Sequence, residues 1–241
     1  MRALVTGAGG AIGMGIVHLL LKRGYDVIAQ DVRTSQLEET FATEITTVPG
    51  DLMKEEDRKR IAQTIGSDSL DCVIAAHGID GSGSLKEVDA DFLNRVLSIN
   101  AVTIPLLFEL TLPALKKSKG VFVVLASQAG LVAEPNNVAY CAAKFAVVGW
   151  VKSMAQSMAR EGVVIRAACP GCTKTPLLYA AQERFAAAEG VHVEEFLKKR
   201  LSKIPVGKFA EIEQTASSVV FLTERGAKPT IFAATGGEVL Y

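Results

Sequence analysis

Short, unbroken aliphatic runs alternate with helix-length segments from one end of this 241-residue chain to the other, and that alternation leaves few folds open. Arg2–Thr6, Asp26–Gln30, Glu44–Val48, Asp71–Ala75, Gly120–Ala126, Val163–Cys169 and Thr230–Ala233 read as strands. Between them, Ile12–Lys22, Lys54–Ile65, a long stretch Ala90–Leu115, Val138–Arg160 and Ile212–Leu222 read as helices, with a helical insertion between Pro176 and Lys203. A run such as Val121-Phe122-Val123-Val124-Leu125 has no polar face, so its strand must be covered on both sides, as in a parallel sheet. Strand–helix–strand units with right-handed crossovers then give an α/β fold, a doubly wound parallel sheet of about seven strands with helices on both faces. No repeat, low-complexity tract or linker interrupts the pattern, which predicts one domain over residues 1–241.

Hydrophobic residues make up 49% of the chain and aromatics only 6%, so aliphatic side chains must do most of the packing. Lys+Arg and Asp+Glu balance at 26 each, which argues against a nucleic-acid binder, whose grip on phosphates needs surplus positive charge. Residues 1–6 read at once as a strand, leaving no room for a signal peptide. The run Ala11–Leu21 contains His18 and is too short to span a bilayer. Cytoplasm, with no membrane partner, is the expectation. Two helices, at 90–115 and 138–160, are apolar on nearly every side, more than one sheet face can cover; they predict a homodimer or homotetramer interface. Pro105 lacks the amide that would bond to residue 101 and should bend the first of them beside Asn100. Of the four cysteines, Cys72 and Cys141 read as small core residues. Cys169-Pro170-Gly171-Cys172 has a redox-like gap but closes a strand and has no second ligand pair, so no metal site is expected.

The first strand runs into Thr6-Gly7-Ala8-Gly9-Gly10-Ala11-Ile12-Gly13 and then a helix. Glycines here permit a tight turn and let a pyrophosphate approach the amides of a helix N-terminus. Asp31 at the end of the second strand strengthens the reading. A carboxylate there can accept from both adenosine ribose hydroxyls and repels a 2′-phosphate. With no cation in the turn and Arg33 expected in solvent, NAD is favoured over NADP. Asp51, after the third strand, can serve the adenine end or start a helix.

Tyr140-Cys141-Ala142-Ala143-Lys144 places a phenol and an ammonium four residues apart, on one helix face. Ser127 lies thirteen residues before Tyr140, across the loop Gly130–Asn137. Bringing a phenol from its usual pKa of ~10 to neutrality takes roughly 4 kcal/mol. One positive charge at ~4 Å in an effective dielectric of about 20 supplies that much. The spacing therefore predicts an acid–base group in which Lys144 lowers the Tyr140 pKa. Trp150 reads as core or interface.

With these motifs in order, the chain resembles the short-chain dehydrogenase/reductase family along essentially its whole length. The resemblance implies a Rossmann-like NAD(P)-binding domain that interconverts a secondary alcohol and a ketone without a metal. It implies Ser127, Tyr140, Lys144 and Asn100 as the catalytic set, Tyr140 as general acid or base and Asn100 as the anchor of a proton-relay water. Against the cofactor it implies Gly7, Gly9, Ala11 (in place of a glycine), Ile12, Gly13, Asp31, Asp51, Leu52, Ala76, Gly78, Tyr140, Lys144 and the loop Pro170–Pro176. In that loop Thr173 would offer its backbone to the carboxamide and Thr175 its hydroxyl. Ala75-Ala76-His77-Gly78 departs from the family's Asn-Asn-Ala-Gly, so His77 either makes a structural hydrogen bond or lines the cofactor cleft. Thr235-Gly236-Gly237 reads as structural. The insertion at 176–203, with Leu177, Leu178, Tyr179, Phe185 and Phe196, would cover a partly apolar substrate. An NADP-dependent carbonyl or 3-oxoacyl reductase is the alternative, and a non-catalytic nucleotide-binding scaffold a third reading.

Overall fold

The computed structural model describes residues 1–83 and 87–240. Seven strands, β1 (Arg2–Thr6), β2 (Asp26–Asp31), β3 (Ile45–Pro49), β4 (Cys72–Ala75), β5 (Val121–Leu125), β6 (Val164–Pro170) and β7 (Ile231–Ala234), form one sheet. Their order is β3-β2-β1-β4-β5-β6-β7, every pairing is parallel, and β1 meets β4 with Thr6 opposite Ala75. The strands at the centre are buried along their length, as their unbroken aliphatic character requires. The chain reverses direction across the sheet between β1 and β4, where loops leaving neighbouring strands diverge and open a crevice beyond their C-terminal ends.

One face of the sheet packs α1 (Ala11–Lys22) and α9 (Ile212–Phe221) through Ile16, Val17, Leu20, Ala216 and Val219. The other packs α3 (Glu55–Ile65), α5 (Thr103–Ser118) and α6 (Val138–Met158) through Ile61, Leu107, Phe108, Val147 and Val151. Trp150 belongs to this core, edge-on to Phe108 and Phe122 at 5.4 and 5.9 Å between ring centroids. By length and composition Ala90–Ser118 and Val138–Glu161 would suit a bilayer, contrary to the sequence-based expectation. Both instead send apolar residues into the core, and apolar surface remains on their outer sides at Val102, Val138 and Phe145, 50, 48 and 45% exposed.

Four details differ from the sequence-based expectations. A short amphipathic helix, α2 (Ser35–Phe41), follows β2 and buries Leu37 and Phe41. The expected single helix Ala90–Leu115 divides into α4 (Ala90–Leu97), a π-turn over Ser98–Val102 and α5. Pro105 follows directly on the π-turn, where its missing amide leaves a carbonyl of that turn without its helical donor, and the irregularity falls just before it, across Asn100. The insertion resolves into α7 (Pro176–Glu189) and α8 (Val193–Ser202), parted by Gly190 at φ +68°. Cys141 is only half-buried, although Cys72 is a core residue as expected.

Arg166, buried in β6, ties the last strand down. Its guanidinium donates to the carbonyls of Leu222 (2.6 Å), Glu224 (2.7 Å), Arg225 and Ala227. A cation is favourable at the C-terminal end of α9, where helix carbonyls lack partners.

Candidate active site

The crevice above the C-terminal ends of β1, β4, β5 and β6 is a cleft of about 1160 Å³, room for a dinucleotide and a small substrate together. Its walls include every cofactor residue named from the sequence, from Gly7 through Thr175, together with Ser127, Tyr140 and Lys144. Asn100 stands behind the wall, 1% exposed.

At one end, the glycine turn is built for close backbone approach. Gly7 has φ +67°, and a side chain there would lie 2.5 Å from the His77 backbone. A Cβ on Gly13 would come 2.1 Å from the Gly7 carbonyl. The first-turn amides of α1, at Ala11, Ile12 and Gly13, have no intrahelical acceptor and border the cleft, so an anionic diphosphate fits there. Asp31 is fixed beside the turn: Gly9 N donates to its Oδ2 at 3.0 Å and Arg33 N to its Oδ1 at 3.1 Å. Arg33 itself is exposed. The donor set and the cradle fit a dinucleotide. Asp51 accepts from Met53 N at 2.9 Å, while Lys54 is the residue capping α3, so Asp51 shapes the loop without starting the helix.

At the other end, Ser127 closes β5 and enters a 3-10 turn, Gln128–Gly130. Helix α6 begins eleven residues after Ser127 and brings Tyr140 and Lys144 into the cleft. The Ser127 hydroxyl, which accepts from Ala129 N at 3.1 Å, lines the same cleft as the Tyr140 phenol. The Lys144 Nζ sits 5.4 Å from the centre of the Tyr140 ring and donates to the Leu125 carbonyl at 2.9 Å. Burial pushes the phenol above its ordinary range, Glu134 pushes it further, and the Ser127 hydroxyl pulls the other way. Burial draws the Lys144 ammonium down to about 8. Lys144 therefore does not by itself bring Tyr140 to neutrality, as the spacing suggested. Its head group binds a backbone carbonyl over the ring face, and desolvation outweighs its charge.

Asn100 accepts from Ile79 N at 2.7 Å and donates to Ile79 O at 2.9 Å. It thus pins the loop after β4, with the Gly78 backbone alongside. The π-turn gives its side chain that direction. His77 answers the question left by the missing amides of the loop. Its Nδ1 lies 2.6 Å from Thr6 Oγ1 and its Nε2 2.8 Å from Thr103 Oγ1. The Thr103 hydroxyl proton is given to Ile99 O at 2.7 Å, so Thr103 can only accept from His77, and the ring carries its proton on Nε2. Nδ1 then accepts from Thr6. Burial, with Lys144 adding, holds the His77 pKa down to about 3, so the ring is neutral. His77 both ties β1 to α5 and lines the cleft.

In the loop after β6, Thr173 Oγ1 lies 2.8 Å from Thr215 Oγ1, and Thr175 caps α7 by accepting from Leu178 N at 3.1 Å. The Thr175 hydroxyl keeps its proton free to donate. Cys169 and Cys172 are free thiols raised to about 11 by burial, which keeps both protonated at neutral pH. Thr235 folds the tail back through Val239, accepting from its amide and donating to its carbonyl. Sequence reasoning missed Glu134, which lies in the cleft with Oε1 taking a hydrogen bond from Gln128 Nε2 (3.0 Å) and Oε2 from Asn137 Nδ2 (2.7 Å). The signal available was a carboxylate six residues before Tyr140, in a loop with two side-chain amides.

Residues 1–185 match the family described as short chain dehydrogenase. The chain is 31% identical over 247 residues to 2-(S)-hydroxypropyl-CoM dehydrogenase 3 of Xanthobacter autotrophicus, covering 97% of this chain and 94% of the relative. It is 31% identical over 237 residues to D-beta-hydroxybutyrate dehydrogenase of Cupriavidus necator, covering 94% and 92%. Among solved structures it resembles an actinorhodin polyketide ketoreductase with NADPH, at TM-score 0.90 and 25% identity over 100% of this chain and 97% of the other.

Proposed function

Since the chain belongs to the short chain dehydrogenase family and is an oxidoreductase acting on CH–OH groups, we propose that it interconverts a secondary alcohol and a ketone with NAD, using Tyr140 as general acid and base. One observation carries this reading: Tyr140, overlain by Lys144, shares one cleft with Ser127, a glycine turn and Asp31. Tyr140 in its neutral form gives its proton to a carbonyl oxygen. Ser127 donates to the same oxygen and stabilises the charge that develops there. Lys144 holds the phenol in place from above its ring and offers its remaining protons to ribose hydroxyls. Asn100 fixes the loop carrying Gly78 and Ile79, and so the floor of the reaction site. A bound nicotinamide supplies or accepts the hydride, and its oxidised ring brings the positive charge that favours the phenolate in the alcohol-oxidising direction.

Asp31 favours NAD because both its oxygens are held at the turn where a 2′-phosphate would have to sit. Comparing NADH with NADPH by fluorescence titration tests this, and tighter NADPH binding refutes it. Tyr140→Phe should cut turnover of any ketone substrate by about 10²–10⁴-fold, the usual worth of a positioned acid, with NADH binding retained. Turnover within tenfold of the parent refutes the assignment. The apolar outer faces of α4–α5 and α6 suit pairing of copies into a homodimer or homotetramer, which light scattering checks.

A further inference from the structure

At the substrate end of the cleft one wall carries a carboxylate between two side-chain amides. Glu134 stands at its centre, half-buried, with one oxygen bound by Gln128 and the other by Asn137. A carboxylate can only accept, so it forces both amides to present their NH₂ groups to it, which fixes their orientation. Their carbonyl oxygens are then left over. Gln128 and Asn137 are 3 and 4% exposed, and Gln128 Oε1 and Asn137 Oδ1 find no donor. Opposite them, on the insertion and the tail, Gln182 Oε1 and Glu238 Oε2 are also buried without a donor. The carboxylate itself has about four lone-pair positions, and the two amides occupy two.

The cations near this wall do not cancel its character. Arg200 is paired with Glu238, Lys199 with Glu189 at 2.9 Å, and Arg184 with Asp80 at 2.8 Å. Lys203 and Arg95 also line the cleft and are exposed to solvent. Glu134 forms no ion pair among the described residues, and it is close enough to Tyr140 to be the leading electrostatic influence on it. Gln128 directly follows Ser127, and Glu134 lines the same cleft as Ser127 and Tyr140.

We propose that Glu134, oriented by Gln128 and Asn137, is a specificity-determining subsite that takes a hydroxyl on the carbon adjacent to the reacting centre, so that the substrate is a vicinal diol and its hydroxyketone. The proposal rests on the dehydrogenase reading above and names the substrate class it leaves open. In the reductive direction the carbonyl carbon gains the hydride, its oxygen gains the Tyr140 proton, and the neighbouring hydroxyl stays intact as a donor to Glu134. A substrate carboxylate or phosphate in that position would face the like charge of Glu134.

Four small ketones of similar size test the idea, with NADH oxidation followed by absorbance: acetoin, butanone, acetoacetate and aminoacetone. We expect kcat/KM for acetoin to exceed that for butanone about 30-fold, the factor typical of a hydrogen bond to a charged group. In Glu134→Ala and Glu134→Gln the ratio should fall to within about threefold, chiefly through KM, and NADH fluorescence titration verifies that each variant is folded. A parent ratio below about 3, or a ratio unmoved in both variants, overturns the subsite while leaving the dehydrogenase reading intact. Acetoacetate outranking acetoin overturns it in favour of an anion site on Arg200, and aminoacetone outranking it replaces the hydroxyl by an ammonium. If no ketone turns over, quenching of the protein–NADH complex decides. Selective binding of acetoin over butanone then supports the subsite and sinks the secondary-alcohol reading; equal binding overturns both.

Discussion

Replacing His77 by Phe keeps a ring of similar size in place but removes both hydrogen bonds that join Thr6 to Thr103. Each bond contributes about 1 kcal/mol net, and the Thr6 hydroxyl, fully buried, loses its acceptor at a cost of about 1–3 kcal/mol more. At pH 7.5 the variant should be less stable by about 3 kcal/mol. The same ring makes that difference depend on pH. His77 is held neutral with a pKa of about 3 in the fold against about 6.5 in the unfolded chain. Its contribution is fully present above pH 6.5 and declines as pH falls, because the unfolded chain takes up a proton that the folded one refuses. The decline is about 1.4 kcal/mol per pH unit between those two values. By pH 4.5 the parent should have lost about 3 kcal/mol from this source alone, and the variant none. Urea unfolding of both proteins at equal concentration from pH 7.5 to 4.5 measures the gap, with other titrating groups cancelling between them. The parent's advantage should shrink to near zero. A gap independent of pH, or a His77 ring that titrates near 6.5 by NMR, refutes the neutral, doubly bonded assignment.

Lys144 gives a pH effect on the alkaline side. Its folded pKa of about 8 lies below its unfolded value, so between pH 8 and 10 the parent should gain about 1.4 kcal/mol per unit relative to Lys144→Met; parallel denaturation curves across that range would contradict it. Gly13→Ala forces a Cβ to 2.1 Å from the Gly7 carbonyl, two backbone segments that cannot both stay, and should cost about 3 kcal/mol. For a chain of this length that lowers the melting temperature by about 6–12 °C, with NADH affinity falling alongside; a melting point within a degree of the parent refutes the close approach.

The central strands were legible because they are buried on both faces. Unbroken aliphatic runs place β1 at its observed limits and the other six within a residue or two. Helix α2 escaped notice because Ser35–Phe41 is short and polar and buries only two side chains, too few to make a period. The division at Ser98 was half visible: Pro105 marked a disturbance in the right stretch, but a π-turn is a hydrogen-bond shift that leaves no composition signal. At the site, spacing alone brought Ser127, Tyr140 and Lys144 to one cleft, since a helix face and a strand end are local geometry. The protonation balance was not legible, because it depends on burial by the whole fold. Nor was the role of His77, whose partners lie 71 and 26 residues away, or that of Glu134, whose orientation is set by two amides on either side of it.

The π-turn at Ser98–Val102 also separates two packing problems that one straight helix would have to solve together. Upstream, Val96, Phe92 and Leu97 meet Ala139 and Ala143 of α6; downstream, Ile104, Leu107 and Phe108 meet the sheet. One extra residue in the spiral rotates the first set by roughly a quarter-turn against the second. Each half can therefore drift in sequence without dragging the other out of phase. Excising a single residue there would straighten the rod and swing Asn100 off Ile79, so this stretch should tolerate substitutions far better than deletions.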